Sequence, residues 1–207
     1  MSDLDAQVRA ADPDRWLASR FVGDPQARAD LIALHAFEAE LMAIPTRVSQ
    51  PLLAEMRYVW WRDQMDRVFA GTPRKGHPVL EALAGAVSRR GVRREPLDAL
   101  IDAHVDRAHG RPHDLEALFV GPMQAAAGIL AGPGQEAAVA AAGRLRGLTQ
   151  TGRFDEAKAL RPEANAALRS LPVAAFPAAA SAALMRPDEA EPLKRLRLTW
   201  AVLRGRI

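Results

Sequence analysis

Three aspartates, Asp98, Asp102 and Asp106, recur every four residues. On a helix that spacing stacks them in one ridge, and a ridge of carboxylates can chelate a divalent cation. One acidic helix lacks ligands from a facing element, so the competing reading is a solvated face balanced by Arg107 and its basic neighbours. His104, His109 and His113 crowd the same stretch. The first two are five apart and Pro112 intervenes before the third, so they miss the i, i+4 spacing of a helical zinc site. Surface or capping histidines are expected there. Glu38 and Glu40 lie two positions apart, about 200° around a helix, and cannot hold one ion as a pair. Arg57, Trp60 and Trp61 form a cationic and aromatic group suited to a cavity or an interface. Consecutive residues diverge by about 100°, so one indole is expected inside and the other at a rim.

Other chemistry is excluded or unsupported. The chain has no cysteine among its 207 residues, which removes disulfides, zinc–thiolate sites and thiol nucleophiles together. It contains no P-loop, GxGxxG, HExxH or GxSxG motif, and His113-Asp114 has no nucleophile at a known spacing. Twenty-eight Lys and Arg against 25 Asp and Glu leave a net charge of only +3. That balance argues against a dedicated nucleic-acid binder, which concentrates bases on one face. The opening MSDLDAQVRAADPDRW is acidic and has no apolar core, unlike a secretory signal. No run reaches the ~18–20 apolar residues of a membrane span. The expectation is a cytoplasmic protein whose membrane contact, if any, is peripheral at the inner face.

These residues must be positioned by helices, because no stretch alternates apolar and polar residues as a strand does. The chain reads as an all-α bundle, one domain over 1–207. Asp12-Pro13 and Asp24-Pro25 each supply an N-cap and a first-turn proline. The helix from Pro25 is apolar on most sides and is predicted to stop near Pro45. Ser49 and Pro51 open the next, closed by Gly71, with Met56, Trp60 and Gln64 on one face. These two helices are expected to pack together at the centre. Further helices follow from Pro78, from Pro96, and from Pro112 to Gly132 with a kink at Pro122. Three more segments lie near 135–151, 154–170 and 172–184. Pro187 and Pro192 precede the last helix. There Leu193, Leu196, Trp200, Leu203 and Ile207 form one apolar stripe, expected against the core. Lys194, Arg197, Arg204 and Arg206 are then left to meet an anionic membrane surface.

DPDRWLASRFVGDPQARADLIALHAFEAEL at 12–41, AEMRYVWWRDQMDRVFAG at 54–71 and HPVLEAL at 77–83 together resemble the squalene/phytoene synthase family. They are especially similar to a divergent branch that includes respiratory complex I assembly factors. The resemblance implies an isoprenoid synthase fold shortened near the C-terminus. Active members of that family ionise an allylic diphosphate with Mg²⁺ held by two acidic clusters. The first cluster should follow LHAF, where Met42, Ala43 and Thr46 stand. The second should fall in LRGLTQTGRFDEAKALRPEAN, where Asp155 and Glu156 are adjacent and no acid lies four residues from either. The resemblance therefore implies a non-catalytic protein with no cofactor, an assembly or interaction factor with a protein partner in respiratory-chain biogenesis. Two alternatives stay open. One is a prenyltransferase condensing isoprenoid diphosphates, its Mg²⁺ held by Asp98, Asp102 and Asp106 with Glu38 or Glu55. The other is a module that binds an isoprenoid or lipid ligand without chemistry.

Overall fold

The structure, a computed structural model, describes residues 3–48, 50–184 and 189–207. The roles read for Ser49 and Pro187 fall outside those residues. Eleven α-helices and no strand occur among the described residues: α1 Asp3–Ala11, α2 Pro13–Ser19, α3 Pro25–Arg47, α4 Pro51–Phe69, α5 Pro78–Arg90, α6 Glu95–Ala108, α7 Gly121–Ala131, α8 Glu136–Gln150, α9 Phe154–Ala167, α10 Phe176–Ala180 and α11 Glu191–Arg204. The all-α expectation holds. The helix α1 is an addition to the sequence reading; it buries Val8 and packs on α3.

The capping logic works at both early Asp-Pro pairs. Asp12 accepts from the Arg15 N–H at 2.9 Å, and Asp24 accepts from the Gln26 N–H at 2.9 Å. α3 runs two residues past the predicted stop, with Pro45 inside it. A proline there removes the N–H that would bond the Leu41 carbonyl. The Tyr58 hydroxyl of α4 donates to that carbonyl instead, at 3.3 Å. The freed acceptor becomes an interhelical bond, so the helix need not end. Pro122 acts differently. Its missing N–H is accommodated one turn earlier by a π-helical turn, Glu116–Val120, in which the Gly121 N–H reaches the Glu116 carbonyl.

α3 is the central helix, touching α1, α2, α4, α5, α6 and α7. Its Leu31, Leu34, Phe37 and Leu41 are wholly buried. α4 is less central than expected. It leans on α5 and α6, and its buried face is Ala54, Tyr58, Trp61, Met65 and Val68. Met56 lies outside, and Trp60 is only half-buried. The registers differ because both sides of this helix carry large apolar residues, so spacing alone does not choose between them. Arg89 and Arg90 clamp α5 to α3: both donate to the fully buried Asp30 carboxylate, at 2.6 and 2.8 Å. No described helix is long and apolar enough to cross a membrane.

The last helix faces the other way from its sequence reading. Lys194, Leu198 and Ala201 point inward, and Leu193, Leu196, Trp200 and Leu203 point outward. Only Ile207 of the predicted stripe is buried. Two things set this register. Lys194 donates to Asp14 of α2 at 2.8 Å, an ion pair shielded on both sides. α11 also packs against the alanine-rich α10, and a close approach admits Ala201 where Trp200 would not fit.

Candidate functional site

A cavity of about 190 Å³ opens between α2, α3, α6, the π-helical turn and α8. Each wall owes its side chains to local geometry. Asp12 caps α2 through one carboxylate oxygen, which leaves the other for the cavity. Glu38 and Met42 are four apart on α3 and share the face that lines it. Leu100, His104 and Arg107 of α6 follow at i, i+4 and i+7. α8 reaches the cavity because two glycines let it press on the π-helical turn. A Cβ at Gly143 would sit 2.8 Å from the Val120 Cα, and one at Gly147 would sit 2.8 Å from the Phe119 ring. That approach sets Phe119 beside Arg146, Gln150 and Thr151.

The charged groups are tied to one another. The Arg15 guanidinium bonds Glu38 and lies 3.6 Å from Asp12. Arg146 donates to the other Asp12 oxygen at 2.7 Å. His35 Nδ1 and Glu38 are 3.0 Å apart. Burial alone would raise the Asp12 pKa, but Arg146 and Arg15 hold it at about 2. Burial likewise opposes ionisation of Glu38, and Arg15 and His35 overcome it, so its pKa is lowered. Burial, assisted by Arg107, depresses His104 to about 4, and its ring stacks on Tyr58 with centroids 5.8 Å apart. His104 is therefore neutral near pH 7. The cavity lining then carries three guanidiniums, Arg15, Arg107 and Arg146, against two carboxylates. Two buried polar atoms of this wall have no hydrogen-bond partner, Glu38 Oε1 and Arg146 Nε.

Mg²⁺ does not fit this donor set. The ion asks for several carboxylate oxygens free to face it, and both carboxylates here already answer guanidiniums, which leaves only Glu38 Oε1 unpartnered. Met42, at the mouth of the cavity, offers a thioether where a hard cation needs oxygen. Ala43 has no ligand atom, and the exposed Thr46 turns its hydroxyl onto the Ala43 carbonyl.

The other sequence-predicted residues lie elsewhere. Asp98, Asp102 and Asp106 do form a ridge on α6, but none of them lines the cavity. Asp98 pairs with Arg94 at 2.8 Å, Asp102 with Arg62 and Asp106 with Arg111. Among the described residues no three His, Asp or Glu side chains gather as a metal site needs. The histidines separate: His104 is buried, His113 lines the cavity and His109 pairs with Glu55 at 3.3 Å. Arg57, Trp60 and Trp61 come together on a different cleft of about 320 Å³, with Glu40, Arg47 and His77. Trp61 is buried and Trp60 stands at the rim, packed edge-on at 5.2 Å.

Sequence reasoning missed Arg15 and Arg146. A signal for Arg146 existed: it falls seven after Val139 and four after Ala142, on the apolar side of an otherwise alanine-rich helix. An arginine on a buried face must find a carboxylate, and Asp12, read only as a cap, is that partner.

A family model described as squalene/phytoene synthase matches residues 8–120. The match begins within α1 and closes at the end of the π-helical turn, so it takes in every cavity wall except α8. Neither a curated protein nor a solved structure matches the chain.

Proposed function

The chain belongs to the squalene/phytoene synthase family, and we propose that it is a non-catalytic member acting as an assembly or interaction factor. One observation carries this reading: both carboxylates of the cavity wall, Asp12 and Glu38, are neutralised by Arg15 and Arg146. In this family departure of a diphosphate relies on metal ions to offset its charge, and this wall has no carboxylate that is not already paired with arginine. The volume supports it too. About 190 Å³ is below the roughly 300 Å³ at which ligand sites for drug-sized molecules begin, and two isoprenoid diphosphates are larger still. A prenyltransferase built on Asp98, Asp102 and Asp106 would need three outward, ion-paired carboxylates turned into the cavity.

The similarity of the segment around Arg57, Trp60 and Trp61 to a branch containing complex I assembly factors supports respiratory-chain biogenesis as the setting. The exposed Leu52, Leu53, Met56 and Val59 on α4 supply apolar surface beside that segment. Two measurements test the proposal. Farnesyl or geranylgeranyl diphosphate with Mg²⁺ or Mn²⁺ is expected to release no diphosphate above a protein-free control; release abolished by Asp102→Ala overturns the non-catalytic reading. In the source cell, deletion is expected to lower membrane NADH:quinone oxidoreductase activity. A chain carrying Asp98→Ala, Asp102→Ala and Asp106→Ala is expected to restore it. Normal activity after deletion would remove complex I from the account.

A further inference from the structure

The outward face of α11 sets Leu193, Leu196, Trp200 and Leu203 at spacings of three, four and three, one continuous apolar ridge. Leu196 is 65%, Trp200 56% and Leu203 76% exposed, although the helix is firmly anchored from behind by Lys194, Leu198 and Ala201. The ridge is therefore a fixed, preformed surface. Beside it opens a cleft of about 310 Å³ whose lining includes Arg161, Arg197, Arg204 and Arg206 and no Asp or Glu side chain. Arg161 donates to the Ile207 carbonyl and Arg197 to Glu189 at 2.7 Å. The Arg204 guanidinium lies over the Trp200 ring, 4.0 Å from its centroid. Cation and indole are presented together at the boundary between ridge and cleft.

We propose that this face docks on the interface of an anionic lipid bilayer, with the four apolar side chains entering the headgroup–acyl boundary and the arginines taking lipid phosphates. Charge complementarity selects this occupant. From position 140 onward the chain carries twelve Lys and Arg against six Asp and Glu; before it, sixteen against nineteen. The stretch of chain that bears the ridge is the one with the basic excess, and an anionic surface attracts it. An apolar face edged by arginine and anchored by tryptophan is the pattern of a helix that lies in the interface plane. This geometry reverses the sequence expectation: the leucines make the contact, and Lys194, 8% exposed, serves as the pin that turns them outward. Glu189 takes up Arg197, and the cleft leaves Arg204 and Arg206 to meet phosphate with no Asp or Glu side chain in its lining. The apolar group on α4 lies among mixed charges, Glu55 and Asp63 with Arg57 and Arg62, and does not share that complementarity.

The test is co-flotation of the full chain with phosphatidylcholine vesicles, with and without phosphatidylglycerol. Binding is expected to the anionic vesicles, to weaken with salt, and to shift tryptophan emission to the blue through Trp200, a shift absent in Trp200→Phe. Leu196→Ser with Leu203→Ser, and separately Arg204→Gln with Arg206→Gln, are each expected to weaken binding roughly tenfold or more with an unchanged melting curve. Leu52→Ser with Met56→Ser on α4 is expected to leave it unchanged. Absence of anionic-vesicle binding at low salt overturns the proposal. So does equal binding by the leucine variant, or equal loss in the α4 control. Sedimentation showing a dimer of the chain that the same leucine changes dissociate, without vesicle binding, would make the ridge an interface between copies instead.

Discussion

The cavity wall and the outer face of α11 invert the usual placement of residues in opposite directions. Around the cavity, Arg15, Glu38 and Arg146 lie where a core would have leucine. On α11, leucines and a tryptophan lie where a surface would have charge. The first inversion is closed: Arg15, Glu38, Arg146 and Asp12 pair with one another within the molecule. The second is open: nothing among the described residues covers the ridge. A buried ion network adds little net stability but is costly to break. An exposed ridge contributes little to folding and is free to act outside the molecule. The difference separates charges that hold the fold together from apolar side chains that the fold leaves to solvent.

The sharpest way to break the comparison is to remove one side of the closed network. Arg15→Met strands Glu38 and part of the pairing of Asp12, and unfolding free energy is expected to fall by about 3–5 kcal/mol, measured by urea denaturation. Trp61→Ala, which opens a hole beside Phe37, is expected to cost a similar 3–5 kcal/mol; the two rings are edge-on at 5.4 Å. Trp60→Ala at the rim is expected to cost clearly less, and equal losses would mean that the α4 register is misread.

A smaller effect is read from pH. The folded pKa of His104, about 4, lies below its ordinary 6.5. Between those values the unfolded chain binds a proton that the folded chain refuses. Stability is therefore full above pH 6.5 and declines as pH falls from 6.5 toward 4, by about 3 kcal/mol from this group. His104→Gln is expected to flatten that limb of a stability–pH profile. The Asp12 contribution, with its pKa near 2, is lost only below about pH 3.8 and should survive in the variant. The smallest expected effect belongs to the ridge. Leu203→Ser should change unfolding free energy by no more than about 0.5 kcal/mol, and a large loss would show that the ridge is buried in the folded chain.

Much of the helical layout could be read directly. Asp12 and Asp24 before proline mark helix starts by capping chemistry, and Gly91, with φ of 62°, ends α5 in the left-handed region that glycine favours. Such signals are local, because caps and prolines act on backbone groups within one turn. The resemblance carried in 12–83 also needed no coordinates, and the family match over residues 8–120 bears it out. Helix registers were another matter. α4 and α11 each present two plausible apolar faces, and a single sequence cannot say which meets the core. For α4 the choice fell to Tyr58, whose hydroxyl meets the carbonyl that Pro45 frees on α3. For α11 it fell to a pair 180 residues apart, Lys194 with Asp14, and to the small Ala201. Arg146 found Asp12 across 134 residues. The chain itself determined which segments are helical, because that physics is short-range. Only the tertiary structure decided which side of each helix is inside, because burial and ion pairing depend on partners that sequence distance conceals.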